Sequence, residues 1–442
     1  MCSDEEVTAL LGRAQELATE MPWQAVAQVE FYLRIHASED SERGSRLLAA
    51  MQPRCVSIFD SIESGLAERE TALTTAVLPY ILDAIDEWRD DRGGGQSLLV
   101  DVPKRARKPL KRILGSGVTR WNRFCDDAKA VAPWQAAGSG SDAEVAVVRQ
   151  GTHKEGMAVM VRAVAGRLKP GATILLYGLA EENTEAMRAT LGQGDFFRGA
   201  RLLLSQPEPD AVLVMAERSA EPAPELTLHD MRRTERVVLT DEGVKWRTVP
   251  GLFAGGGIDI MTAYLLETLR DVPAFPEGTQ IVDFCCGSGV IGATLLCRQP
   301  KLNLHLLDAD AIAVKCAERN VPLAAGYHIS DGWAALPMAT SFDVIVSNPP
   351  VHSGHASAFG VVRALIAGCH TRLRPGGDLW IVAQTNVPVG RMLAEAAGAF
   401  EDRIELVSDG RFSVWHATRR TEGNGEAAAA RKRKRDRSPR VA

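Results

Sequence analysis

The chain has 442 residues, 45% hydrophobic and 24% charged, with a formal net charge of −5. That length is too great for one ordinary core and points to two or three domains, and this balance of apolar and charged residues excludes a fibrous or intrinsically disordered polymer. No apolar run approaches the ~18 residues that a membrane-spanning helix needs. The acidic, amphipathic start "MCSDEEVTALLGRAQELATEM" lacks the basic flank and apolar centre of a signal peptide. An intracellular protein with no membrane partner is expected. Cysteines at positions 2, 55, 125, 285, 286, 297, 316 and 369 show no metal-ligating spacing, so they are read as reduced thiols and no metal is expected.

In chain order, residues 1–90 read as mostly helical, because "EEVTALLGRAQELATE" and "RETALTTAVLPYILDAIDEW" both space their apolar residues as one helix face. "RCVSIFD" (54–60) and "QSLLVDV" (96–102) read as strands. The stretch "PKRARKPLKRILGSGVTRWNRF" (103–124) carries eight basic residues and no acid, with Trp121 and Phe124 among them. Interleaved cations and aromatics suit a phosphate backbone with stacked bases; a solvated basic helix face is the competing reading. The candidate contacts are Lys104, Arg105, Arg107, Lys108, Lys111 and Arg112. A Gly/Ser loop (138–141), a strand "AEVAVVRQ", a helix "KEGMAVMVRAVAGRLKPG" ended by Pro-Gly, and a strand "ATILLYGL" follow. The Pro-rich, acidic "SAEPAPELTLHD" (219–230) reads as a linker.

A second block then alternates strands with helices: "QIVDFCC", a Gly-rich turn, a helix, "LNLHLLDAD", a helix, a short strand at "GYHIS", "FDVIVSN", a helix, "RPGG" and "DLWIVAQ". That alternation demands a mainly parallel sheet with helices on both faces. The domains are expected at 1–225 and 226–420. A tail, 421–442, carries seven basic side chains against Glu422, Glu426 and Asp436.

The chemistry is expected where ligands bind in such sheets, beyond the carboxyl ends of the strands. "VDFCCGSGVIG" supplies Gly287, Gly289 and Gly292 for a tight turn and close backbone approach to a ligand. Taken by itself this pattern suits a dinucleotide equally well. Asp308 ends the next strand, where a carboxylate can accept from a pair of ribose hydroxyls; Asp310 is the better cap for the helix that follows. Asp331, after the third strand, is placed to meet an adenine amino group.

"SNPPVHSG" then distinguishes the readings. A nicotinamide enzyme has no need of Asn348-Pro349-Pro350, whereas a methyltransferase acting on a planar exocyclic nitrogen does. Such an amine has its lone pair delocalised into the ring. The Asn348 side-chain oxygen and the Pro349 carbonyl can each accept one of its N–H bonds and so orient it, while rigid prolines hold the acceptors still.

With these residues in place the sequence resembles the small-domain class I methyltransferases that use S-adenosylmethionine, specifically the bacterial ribosomal RNA guanine-N2 methyltransferases. "WRTVPGLFAGGGIDIMTAYLLETL" is similar to their segment before the first strand, "SNPPVHSG" to their Asn-Pro-Pro-Phe-His motif, and "LRPGGDLWIVAQ" onward to their closing strands. The resemblance spans about 190 residues, roughly 229 to 419. It implies an α/β protein of two tandem Rossmann-like domains, the first degenerate and the second a seven-stranded class I sheet. It implies S-adenosylmethionine held by Asp259, Asp283, Phe284, Gly287, Gly289, Asp308, Asp331 and Asn348, catalysis at Asn348, Pro349 and Pro350, and a base lodged by Val351 and His352. Ribosomal RNA is the implied partner, with the chain acting as a monomer.

"AEVAVVRQGTHKEG" resembles the later half of the family's degenerate domain, with "RQGTHK" at the Asn-Pro-Pro position and no Gly-rich loop before it. That domain is expected to bind no cofactor and to hold RNA or the catalytic domain. Val351 stands where the family places an aromatic residue, and Met261 and Thr262 replace a Gly and a Ser. The tail "RKRKRDRSPR" is foreign to the bacterial enzymes and reads as a nuclear localisation signal or an RNA grip, with a disordered, solubilising tail as the competing reading, which leaves cytoplasm and nucleus both open. Protein glutamine side chains are a competing substrate, and a non-catalytic RNA-binding assembly factor of the same fold is the competing class.

Overall fold

The computed structural model describes residues 68–87, 95–124, 143–151, 154–179, 184–192, 196–207, 210–222, 233–239, 243–350, 359–385, 387–396, 398–408 and 411–421. The expectations for 5–20, 54–60, the Gly/Ser loop, most of the linker, Val351, His352 and the basic tail lie outside these residues.

Two large sheets organise the chain. The first contains β1 (Gln96–Val100), β2 (Val118–Trp121), β3 (Ala143–Arg149), β4 (Leu168–Gly178), β5 (Phe197–Pro207) and β6 (Asp210–Arg218), in the order β2-β1-β3-β4-β6-β5. Pairing is parallel from β2 to β4 and antiparallel through β6 and β5. A hairpin, β7 (Arg233–Val238) with β8 (Gly243–Thr248), leads into the second sheet. This comprises β9 (Gln280–Phe284), β10 (Asn303–Asp308), β11 (Gly326–Ile329), β12 (Phe342–Ser347), β13 (Leu373–Gln384), β14 (Phe400–Ser408) and β15 (Phe412–Arg419). Its order is β11-β10-β9-β12-β13-β15-β14, parallel except where β15 meets β13 and β14.

Both faces of each sheet are buried, which is why the strands read as near-continuous apolar runs. Along β1, Leu98 and Val100 enter one core layer while Leu99 enters the opposite one. Along β12, Ile345 enters one layer and Val344 and Val346 the other, the period-2 alternation of a pleated strand.

The second sheet repeats the order of the first and adds β11 at one edge. The repeat extends to register. The β3–β4 pairing shifts between Ala143↔Leu168 and Val145↔Thr173, and the β12–β13 pairing between Phe342↔Leu373 and Val344↔Asp378. Here "LKPGAT" matches "LRPGGD". Pro170 and Pro375 therefore lie inside strands at irregularities, where a missing N–H breaks no ladder bond. The expected helix through Pro-Gly instead ends at Ala165, and β4 begins at Leu168.

Carried along this register, Arg149 occupies in the first half the place that Asn348 holds in the second. Arg149 is buried and pairs with Glu70 (Nη2 to Oε2, 3.0 Å), which lies on the helix over 68–87. Asp101 follows β1 as Cys285 follows β9, and these two non-glycine residues share a left-handed backbone, φ 51 and 62.

Candidate active site

The sheet order reverses direction between β9 and β12, and the crevice beyond their carboxyl ends is the ligand position of an open α/β sheet. The turn after β9 is shaped by its glycines. Gly289 has φ 93 and caps the helix Val290–Arg298; a Cβ there would lie 2.8 Å from Val321 Cγ2. At Gly287 a Cβ would meet nothing within 4 Å, so the turn presents open space on that side.

Asp308, at the end of β10, accepts from Gly287 N through Oδ2 (2.8 Å) and from Asp310 N through Oδ1 (2.8 Å). Burial, reinforced by the Asp310 charge, pushes its pKa up to about 6. Asp310 caps the helix Ala311–Asn320 by accepting from Ile312 N, as expected. Asp283 is fully buried beneath the turn. Its Oδ2 accepts from Gly292 N (3.0 Å), its Oδ1 has no hydrogen-bond partner, and burial pushes its pKa up to about 7.

Asn348 follows β12 directly. Its Nδ2 donates to Asp259 Oδ2 and to Thr262 Oγ1, each at 2.9 Å. An ionised carboxylate only accepts, so the contact with Asp259 fixes which end of the amide faces inward and leaves Oδ1 as the outward acceptor. Asp259 is itself held, because its Oδ1 accepts from Thr262 N as the cap of the helix Ile260–Arg270. Ser347 Oγ donates to Phe284 O (2.6 Å), tying the ends of β9 and β12 together. Pro349 is buried and Pro350 exposed.

Of the sequence-predicted residues, Asp259, Gly287, Gly289, Asp308 and Asn348 converge on this crevice. Asp331 stands exposed after β11. Phe284 has its side chain in the core, 4.6 Å from Trp333 between ring centroids, with its carbonyl taken by Ser347. Thr262, noted from the sequence only as a replacement of the family's Ser, holds the Asn348 amide together with Asp259, whose place as a helix cap is legible in the sequence. Trp246 was missed as a site residue. Its Nε1 donates to Gly256 O and Ser288 Oγ and ties the segment before the helix to the glycine turn.

The basic residues Lys104, Arg105, Arg107, Lys108, Lys111 and Arg112 lie on the helix Lys104–Leu114, which buries Ala106 and Leu110. Lys104, Arg107, Lys108, Lys111, Arg112 and Arg120 line a cleft of about 760 Å³. Trp121 is 2% exposed in the core, with the Arg167 guanidinium over its ring, so it offers no face to a stacked base, which corrects that part of the expectation of interleaved aromatics; Phe124, 55% exposed, remains accessible. The side chain of a strand residue points either to solvent or to a helix layer, and composition by itself does not say which.

Among the described residues no helix is long and apolar enough to cross a membrane, and no group of three metal-ligating side chains forms.

The sheet order, the glycine turn, the carboxylate ending β10 and the Asn-Pro-Pro ending β12 together define a Rossmann-like methyltransferase domain. The comparisons agree. The family model of the methyltransferase small domain matches residues 243–416. A ribosomal RNA small subunit methyltransferase C of Stutzerimonas stutzeri is 32% identical over 263 residues, covering 59% of this chain and 74% of that protein. Its counterpart from Hahella chejuensis is 35% identical over 175 residues, 39% of this chain and 48% of that one. The chain belongs to this family of methyltransferase small-domain proteins, and it spans about half the length of several of the curated relatives it matches. A T. thermophilus 16S rRNA N2 methyltransferase, solved in complex with AdoMet and guanosine, shares the fold, with a TM-score of 0.62 at 21% identity over 74% of this chain and 88% of that one.

Proposed function

We propose that this protein is an S-adenosylmethionine-dependent methyltransferase acting on the exocyclic N2 amine of guanine in ribosomal RNA. The observation that carries the reading is the Asn348 amide, locked by Asp259 and Thr262 so that its oxygen is the acceptor turned outward. The relatives named as ribosomal RNA small subunit methyltransferases and the N2 methyltransferase of shared fold support this substrate class.

The residues present fit the cofactor. Gly287 leaves open space, Asp308 offers a half-buried carboxylate to ribose hydroxyls, and the buried Asp283 carboxylate lies beneath the turn with one oxygen unpartnered. Asp331 would meet the adenine amine. When bound, the cofactor supplies an electrophilic methyl group on a sulfonium. The protein's part is positioning. Asn348 Oδ1 and the Pro349 carbonyl each accept one amine N–H, which turns the nitrogen lone pair out of ring conjugation and toward the methyl. No base with a shifted pKa is required, because the methylated nitrogen becomes acidic and loses its proton to water. Val351 and His352 would lodge the base.

The N-terminal half, taken as residues 1–225, would bind no cofactor. The buried Arg149–Glu70 pair fills the place corresponding to Asn348, and Asp101, Val102 and Pro103, with no glycine among them, stand where the second half has its glycine turn and lead into the basic helix Lys104–Leu114. That helix would grip RNA phosphates, acting with the catalytic half (226–420) in one monomeric chain. The basic tail adds either RNA affinity or nuclear targeting. Transfer of labelled methyl from S-adenosylmethionine to RNA and to protein in the same extract, followed by nucleoside analysis, tests the reading. N2-methylguanosine is the expected product; label confined to protein would overturn it in favour of a carboxamide substrate.

A further inference from the structure

The carboxylate assigned to the cofactor ribose is held from outside its own half of the molecule. Arg123 follows β2 in the first half. Its Nε and Nη2 donate to Asp310 Oδ2 at 3.0 and 2.6 Å, and Nη2 also donates to Gly251 O at 2.6 Å. The Arg123–Asp310 pair is largely buried, with side-chain exposures of 11% and 10%. The main chain takes part too. Arg123 N donates to Asp101 Oδ1 (2.6 Å), and Arg123 O accepts from Ala311 N (2.9 Å), one of the N–H groups that open a helix without an intrahelical partner. Phe124 and Asp310 form an isolated antiparallel bridge.

Both Asp310 oxygens are thus committed, one to the helix cap and one to Arg123, while its own N–H donates to Asp308 Oδ1. A shift of the Asp310 main chain, which the Arg123 side chain, the Arg123 carbonyl and the Phe124 bridge all resist, would displace the N–H that orients Asp308. We propose that Arg123 is a positioning residue for the cofactor pocket, contributed by the degenerate half, which acts through Asp310 to hold the Asp308 carboxylate in place. This rests on the reading that Asp308 receives the ribose hydroxyls.

Electrostatics supplies a signature that a simple clamp between halves would lack. Facing Asp308 are Asp310 on the same turn, Asp283 on β9, the Cys285 and Cys286 thiols in the glycine turn, and Arg123 from the other half. Arg123 is the one cation in that set, and it opposes the upward push of burial and of Asp310 on the Asp308 pKa. Removing it leaves the neighbouring carboxylates uncompensated, which pushes the Asp308 pKa further up.

The test is titration of S-adenosylmethionine into the full chain from pH 5.5 to 9, for wild type, Arg123→Ala, Arg123→Gln and Arg123→Lys, with circular dichroism reporting folding. In Arg123→Ala the dissociation constant at pH 7 should rise about tenfold, and the pH below which affinity is lost should move up by about one unit. Arg123→Gln keeps donors without charge and should show the same pH shift, which covers the case in which the alanine variant fails to fold. Arg123→Lys keeps the charge and should restore the wild-type pH midpoint while binding more weakly, because a lysine cannot fork to Asp310 and Gly251 together. A folded Ala or Gln variant with wild-type affinity and midpoint would overturn the proposal and leave Arg123 a plain link between halves. Failure of the wild-type chain to bind S-adenosylmethionine at any pH would sink the cofactor reading itself, and this inference with it.

Discussion

Asp259→Ala separates two jobs that the structure gives to one carboxylate. Oδ1 caps the helix Ile260–Arg270 through Thr262 N, and Oδ2 holds the Asn348 amide. Loss of a side-chain cap costs about 1 kcal/mol, and a hydrogen bond to a charged group contributes about 1.5–3 kcal/mol. Asp259 is half-buried, so the lower end applies, and the variant should lose about 2–3 kcal/mol of stability. The two shares are separable in urea unfolding of wild type, Asp259→Ala, Asn348→Ala and the double variant. The cap survives in Asn348→Ala, so the coupling between the two sites should equal the amide bond, about 1–2 kcal/mol. Freed on one side, the Asn348 amide can rotate and turn its oxygen away from the acceptor nitrogen. Single-turnover methyl transfer by Asp259→Ala should therefore slow by about tenfold or more, equivalent to about 1.4 kcal/mol of barrier. Additive stabilities, with coupling below about 0.5 kcal/mol, together with an unchanged single-turnover rate, would refute the claim that Asp259 orients Asn348.

Asn348→Ala should leave cofactor affinity within a few-fold while cutting turnover by orders of magnitude, measured as kcat against the cofactor dissociation constant. Asp283 has a folded-state pKa of about 7 against an ordinary 3.8, so the folded protein binds the extra proton and its stability falls as pH rises from about 4 to about 7. By linkage the Asp283 share is on the order of 4 kcal/mol; Asp283→Asn should remove that share of the slope, and identical melting-temperature profiles from pH 5 to 8 would contradict it. Replacing Lys104, Arg105, Arg107 and Lys108 by Ala should raise the RNA dissociation constant and flatten its salt dependence with cofactor binding untouched. The same salt slope in the folded variant would reduce this helix to a solvated face, with deletion of residues 421–442 as the companion control.

Much of the second half was legible because local chemistry and tertiary role coincide there. Its strands announce themselves as apolar runs, the glycine turn and Asn-Pro-Pro sit at strand ends, and Asp310 caps the helix that its sequence position suggests. The first half was harder to read. Its resemblance to the second lies in register, with Leu168 and Leu373 opening the same irregularity, and register is a relation between strands that one strand's sequence does not carry. Trp121 and Phe124 read alike as aromatics in a basic run, yet one is core and the other exposed, because which way a side chain faces depends on the layer packed against the strand. Arg123 is one more cation in the same run. That it lies against Asp310, 187 residues away, is decided by the tertiary contact alone, since a charge pair of that separation leaves no local periodicity to read.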